Sequence, residues 1–170
     1  MISLDFASLL NIVSTLSIVG ALLFAGMQVK AANLARRDLA SVTVIQITQS
    51  EIWTDALLTL SDVPENATEQ DIAQSDEKVR RALFELAIRL ETIGYLVYIR
   101  TVKIETVDDL MGGVVLMFWS RAKRWAVAER LRTGNPKMHE WCEWIAGQIA
   151  NRHASGSSAP AYLRDLHWRE

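Results

Sequence analysis

Cysteine occurs once in these 170 residues, at Cys142. A single thiol excludes an intramolecular disulfide and a four-cysteine zinc cluster, and it fits a reducing compartment. Proline occurs three times and glycine eight times, too seldom for a collagen-like, mucin-like or disordered chain. Positive charge is not in excess either: 18 Lys and Arg stand against 20 Asp and Glu, which excludes a generally basic nucleic-acid binder. Also missing are a Gly-rich phosphate loop, a Walker pattern, a Gly-x-Ser-x-Gly elbow and a His-Glu-x-x-His pair. What is present is apolar. Half of the residues are hydrophobic, enough to offset the chain entropy of one domain.

The longest stretch without charge is N-terminal: Phe6 to Val29, 24 residues between Asp5 and Lys30. At about 1.5 Å per residue a helix of this length covers about 36 Å, and a hydrocarbon core is about 30 Å thick. The segment is therefore expected to be a transmembrane helix. A cleaved signal peptide is disfavoured, because no Lys or Arg precedes the segment and Phe24-Ala25-Gly26-Met27 is a poor cleavage site. All 18 cations follow it, with Lys30, Arg36 and Arg37 directly behind. The positive-inside rule then predicts a single-pass protein of the inner membrane, N-terminus out and the remainder cytoplasmic. The sequon Asn66-Ala67-Thr68 would receive no glycan there. Ser17, Ala21 and Ala25 recur every four residues, a small face where a second helix can approach closely, so homo-oligomerisation is expected. Asn11, Ser14, Thr15 and Gln28 are neutral, unlike the charged residues of a proton or ion relay.

Beyond the span, apolar spacing is helical throughout, and the expected fold is all-α: one membrane helix continuing into a small cytoplasmic helical bundle. The expected divisions are a membrane helix at 1–30, a helical domain at 31–154 and a flexible tail at 155–170. Without a Pro between Phe6 and Val63, the first helix is expected to run on through Leu39, Val42, Ile45, Ile52, Trp53, Ala56, Leu57 and Leu60. Val42-Thr43-Val44-Ile45 has strand character but no partner strand. Residues 61–75 are polar and acidic and read as an exposed loop. A central helix from Asp76-Glu77 presents Val79, Leu83, Leu86, Leu90, Ile93 and Val97. Thr106 is expected to cap the next helix, with a stripe of Val107, Leu110, Met111, Val114, Phe118, Ala122 and Trp125. Gly134 suits a left-handed stop, Asn135 the next cap and Pro136 the first position of a last helix, which turns Trp141, Trp144, Ile145 and Ile149 to the core. Residues 155–160 read as a hinge before Tyr162, Leu166 and Trp168, a docking element for a protein partner if the chain belongs to a larger membrane complex.

Charge is segregated along this chain. Residues 38–77 hold nine acids and no base, whereas 121–137 hold Arg121, Lys123, Arg124, Arg130, Arg132 and Lys137 against Glu129 alone. Such segments can attract each other within or between subunits, form solvated faces, or offer a patch to RNA or anionic lipid. Trp119 would be the aromatic partner for RNA. His139, Cys142 and Glu143 share a helix face, yet supply only one helix's worth of metal ligands, so no metal and no cofactor is expected. Cys142 reads as a small hydrophobe, Glu85 as a partner of Arg81 and Arg89, and Gly112-Gly113 as a site of close helix packing. Glu91, the other carboxylate on that mainly apolar helix, is of the kind that pairs with arginine.

The segments Arg89 to Val97, Met111 to Trp119 and Arg130 to Ala146, together with Arg36-Arg37, resemble an uncharacterised family of bacterial single-pass proteins known only as a domain of unknown function. That likeness implies topology and a helical fold. The chain is also similar to accessory membrane proteins of type VI-B CRISPR systems, which join a membrane helix to a divergent HEPN-like domain. The second likeness implies a membrane pore in antiviral defence. HEPN ribonucleases separate Arg from His by four to six intervening residues, and Arg132 and His139, with six between them, match that spacing as a candidate catalytic pair, with Gly134-Asn135-Pro136 intervening. With no complete catalytic set, the leading expectation is a non-enzymatic accessory protein. Its alternatives are a membrane-tethered RNA-binding or ribonuclease protein and a structural subunit.

Overall fold

The computed structural model describes residues 5–156 and 158–164. Two units divide the chain, Met1–Leu39 and Ala40–Glu170. Among the described residues every regular element is a helix: α1 Phe6–Thr48, α2 Glu51–Ser61, α3 Glu69–Gln74, α4 Glu77–Tyr98, α5 Ile104–Thr133, α6 Glu140–Ala154 and α7 Ala161–Arg164.

In the first unit α1 carries the apolar segment, and Leu9–Ala32 is long and apolar enough to cross a membrane. The second unit begins in the last turns of α1, where Val42–Ile45 is helical and Val44 is fully buried. The first helix does not run on to Leu60. It ends at Thr48, and Ser50 takes an extended backbone whose hydroxyl accepts the Trp53 N–H at 3.2 Å, starting α2 afresh. Satisfying an otherwise orphaned donor makes a serine here a helix start rather than a passenger. The new register buries Trp53, Ala56 and Leu60 and leaves Ile52 exposed.

The acidic stretch 61–75 is not simply an exposed loop. Thr68 and Asp71 form a capping box: the Asp71 N–H donates to Thr68 Oγ1 at 3.1 Å and the Thr68 N–H to Asp71 Oδ2 at 2.8 Å. This box opens α3, and Val63, Ala67 and Ile72 are buried.

Helix α4 is central, as its apolar spacing predicts. Leu83, Leu86, Leu90, Ile93 and Val97 are buried and Val79 is half-buried. It packs against α2 on one side and α6 on the other, and α6 also packs along α5. Full burial of each such Leu or Ile contributes about 1.5–3 kcal/mol. At Gly94 the backbones come so close that a Cβ would lie 2.5 Å from the Trp141 carbonyl oxygen.

Helix α5 starts at Ile104 after Lys103, two residues before the expected Thr106 cap. It is kinked at Met111, where φ is −148° and ψ is 15°. The kink breaks the single stripe read from the sequence: Val107, Met111, Phe118, Ala122 and Trp125 are buried, while Leu110 points to solvent. Gly134 ends α5 in the left-handed region at φ 66°, as expected of a glycine stop. Helix α6 does not begin at Pro136. Asn135 Oδ1 accepts the Lys137 N–H at 3.1 Å, forming a separate turn, and α6 opens at Glu140 behind a left-handed His139 at φ 58°. Ile145 and Ile149 are buried, and Trp141 and Trp144 are only half-buried. Tyr162 is exposed, and Leu166 and Trp168 lie outside the described residues.

Candidate functional site

Every large apolar side chain described between Leu9 and Val29 is 47–70% exposed. Their backbone is saturated by the helix, and two of the polar side chains turn inward: the hydroxyls of Thr15 and Ser17 donate to the carbonyls of Asn11 and Val13, each at 2.8 Å. Ser17, Ala21 and Ala25 lie on one exposed face, and Ser17 contributes its size there while its hydrogen bond stays within its own helix.

In the second unit the segregated charges meet each other. Arg121 Nε donates to the Val63 carbonyl at 2.8 Å and lies 4.0 Å from Glu65; Arg124 donates to the Asn66 carbonyl at 3.3 Å, and the Asn66 N–H to the Ser120 carbonyl at 2.8 Å. The acidic segment around α3 is thus strapped to the basic face of α5 through main-chain carbonyls. Hydrogen bonds from the Thr68 backbone and hydroxyl hold the Asp71 carboxyl below its usual range, with Arg124 adding to the effect. Trp119, Lys123, Arg124, Val127 and Glu143 line an open groove beside this strap. Exposed Lys137 lies in the turn that follows α5.

Arg132 and His139 have separate surroundings. Arg132 is exposed and grips Glu129 through two hydrogen bonds of 3.0 and 2.6 Å, and that contact raises its pKa. His139 is buried, and its ring stacks on Trp125 with centroids 4.9 Å apart. Among the described residues its Nε2 has no hydrogen-bond partner, and burial holds the imidazole below its ordinary pKa. The arginine that reaches this segment is Arg130. Its guanidinium donates to the carbonyls of Met138 and His139 at 2.7 and 3.1 Å and to Glu143 at 2.6 Å, pinning the 135–139 turn to α5. Cys142 donates to the Ala87 carbonyl at 3.2 Å, and burial pushes its thiol far above the ordinary range. With His139 against Trp125, Cys142 bonded to Ala87 and Glu143 bound to Arg130, the three candidate ligands have separate surroundings, and among the described residues no group of three or more metal-ligating side chains gathers.

Sequence reasoning missed a polar cluster at the kinked end of α5. Asp108, nearly fully buried, accepts Arg152 Nε at 3.0 Å and contacts His153 Nε2 at 2.8 Å, and Arg152 also pairs with Glu105 at 3.1 Å. Burial alone would raise the Asp108 carboxyl; hydrogen bonds from His153, Ser158 and Arg152 outweigh it and keep the group below its usual pKa. Ser158 belongs to the stretch expected to be a hinge, so this part of it is tied down. Gly112, one turn along α5, leaves the space that the Asp108 carboxylate occupies. The only sequence signal was an acid placed on an apolar stripe.

Glu85 pairs with Arg89, whose guanidinium also donates to the Ile47 carbonyl at 3.0 Å. Glu91 instead accepts the Trp141 and Cys142 N–H groups. Comparison of the chain with models of protein families, with curated proteins and with solved structures gives no match.

Proposed function

We propose that this chain is a membrane-anchored, non-enzymatic helical accessory protein that self-associates through its membrane helix. One observation carries the reading: a helical segment of 24 residues, Leu9–Ala32, whose large apolar side chains are all exposed. A helix apolar on every side has no solvent-facing stripe, and a bilayer is the environment that covers all of it at once. The orientation follows from charge: only Asp5 precedes the uncharged run from Phe6 to Val29, and all the cations follow that run, so the helical domain lies on the cytoplasmic side of an inner membrane. Two features support a non-enzymatic role. Arg121, Arg124, Arg130 and Arg132 are engaged with carbonyls and carboxylates of the same chain, and His139 is packed on Trp125. The likeness to CRISPR accessory membrane proteins extends the proposal to a pore in antiviral defence, which conductance across planar bilayers tests.

The anchoring is tested by alkaline carbonate extraction of membranes carrying the full chain. Retention in the pellet is expected, and release into the supernatant defeats the reading. Orientation is read from single cysteines at Asp5 and Glu65 in a Cys142→Ala background, where an impermeant maleimide should reach only position 5 from outside. Self-association is read by native mass spectrometry from detergent: a homo-oligomer that dissociates on Ala21→Leu/Ala25→Leu is expected.

A further inference from the structure

At the junction of α4 and α6 the second unit displays a preformed aromatic platform. Tyr98 lies tilted against Trp141 with centroids 4.5 Å apart and meets Trp144 edge-on at 5.8 Å; Tyr95 meets Trp141 at 5.7 Å. Tyr95 is 46% exposed, Tyr98 54% and Ile99 45%, and the two tryptophans are half-buried. Core packing does not account for rings left this open. The platform is also held rigid: Glu91 fixes the first turn of α6 through the Trp141 and Cys142 N–H groups, and Gly94 lets the Trp141 backbone sit directly on α4.

We infer that this platform docks the domain onto the headgroup layer of the bilayer that the same chain is anchored in. Tyr and Trp rings combine an apolar body with a polar tip, and they settle at the membrane–water interface for that reason. The face continues along α4 through Thr92 and exposed Ile88, residues without charge that resist neither partial dehydration nor a zwitterionic surface. Arg100 and Lys103, both exposed, follow two and five residues after Tyr98 and suit headgroup phosphates. Tethering supplies the remaining term, since a domain joined to a membrane helix meets the bilayer at high effective concentration and a small patch suffices. The inference rests on the membrane reading above.

The test uses the full chain in lipid nanodiscs, with Cys142→Ala and a single nitroxide label at Ile99→Cys, compared with one at Leu131→Cys. Collision with oxygen and with a water-soluble nickel chelate reports the environment of each label. Discs of phosphatidylcholine, with or without phosphatidylglycerol, should give an oxygen-favoured label at 99 and a nickel-favoured label at 131. Tyr98→Ala/Trp144→Ala should return position 99 to nickel-favoured, with helical circular dichroism unchanged. A nickel-favoured label at 99 in all discs overturns the docking while leaving the anchor intact. Label–label broadening at 99 that survives in detergent overturns it in favour of a second copy of the chain. Failure of the chain to enter discs, together with carbonate release, overturns both the anchor and the docking.

Discussion

The Glu91 carboxylate on α4 accepts the backbone N–H groups of Trp141 and Cys142 at 3.1 and 2.9 Å, so the N-terminus of α6 is capped by a different helix. His139, the residue at the cap position of α6, makes no side-chain cap hydrogen bond. A carboxylate at this end also meets the positive pole of the helix dipole. Glu91→Ala is expected to lower unfolding stability by about 1.5–3 kcal/mol, the range for hydrogen bonds to a charged group. Glu91→Gln, which keeps an acceptor, should lose less. Urea midpoints of the two variants check the order, and equal losses would show that shape rather than capping matters at this position.

Two glycines should respond with opposite sign. Gly94→Ala gains helix propensity but drives a methyl into the Trp141 carbonyl, so α4 and α6 must part, and a net loss of about 1–3 kcal/mol is expected. Gly113 is exposed and helical, with nothing within 4 Å of an added Cβ. Gly113→Ala should therefore stabilise by about 0.5–1 kcal/mol. Thermal melts of the two variants decide, and stabilisation by both would refute the close helix approach.

Acid should weaken the domain in two separate windows. Burial depresses His139 below its ordinary 6.5, so its folded state binds the proton less readily than the unfolded chain does. Its contribution is fully present above about pH 6.5 and is lost as pH falls through the folded value. Asp108 lies below its usual 3.8, so its contribution is present above that value and is lost only at lower pH. His139→Asn tolerates the left-handed backbone and does not titrate. Its stability should be flat from pH 7 to 5, where the parent chain declines; a parallel decline in both chains would assign the acid response elsewhere.

Removing the Asp108 carboxylate should release the stretch it holds. Asp108→Ala abandons hydrogen bonds to Arg152, His153 and Ser158 in a buried position, and a loss of about 2–3 kcal/mol is expected. Proteolysis of the full chain should move into residues 155–164, whereas Asp109→Ala, at an exposed position, should leave the pattern closer to that of the parent. Unchanged cleavage at 155–164 would mean that Ser158 is not held through Asp108.

Arg130 gives a measure of what was readable beforehand. Its membership of a basic segment was visible, but its partners were not: the Met138 and His139 carbonyls lie eight and nine residues away across a turn whose path the sequence leaves open. Arg121 and Arg124 reach across 58 residues to Val63 and Asn66. Spacing matched Arg132 with His139, and the fold sends them to Glu129 and Trp125 instead. Thr68 and Asp71, by contrast, are a local signature that could have revealed α3.

Local periodicity and local chemistry determined the helical class, the uncharged N-terminal helix, the buried stripe of α4 and the left-handed stop at Gly134, because each depends on residues within a turn or two of one another. Tertiary structure decided the rest. The break at Ser50 selects which face of α2 is buried, the kink at Met111 rotates the α5 stripe, Glu91 caps a helix 50 residues away, and the basic segment holds the acidic one through its main-chain carbonyls inside a single domain. Hydrogen-bond donors and charges accept any partner of the right sign, so only the packing of the apolar stripes settles which partner is near enough to be used.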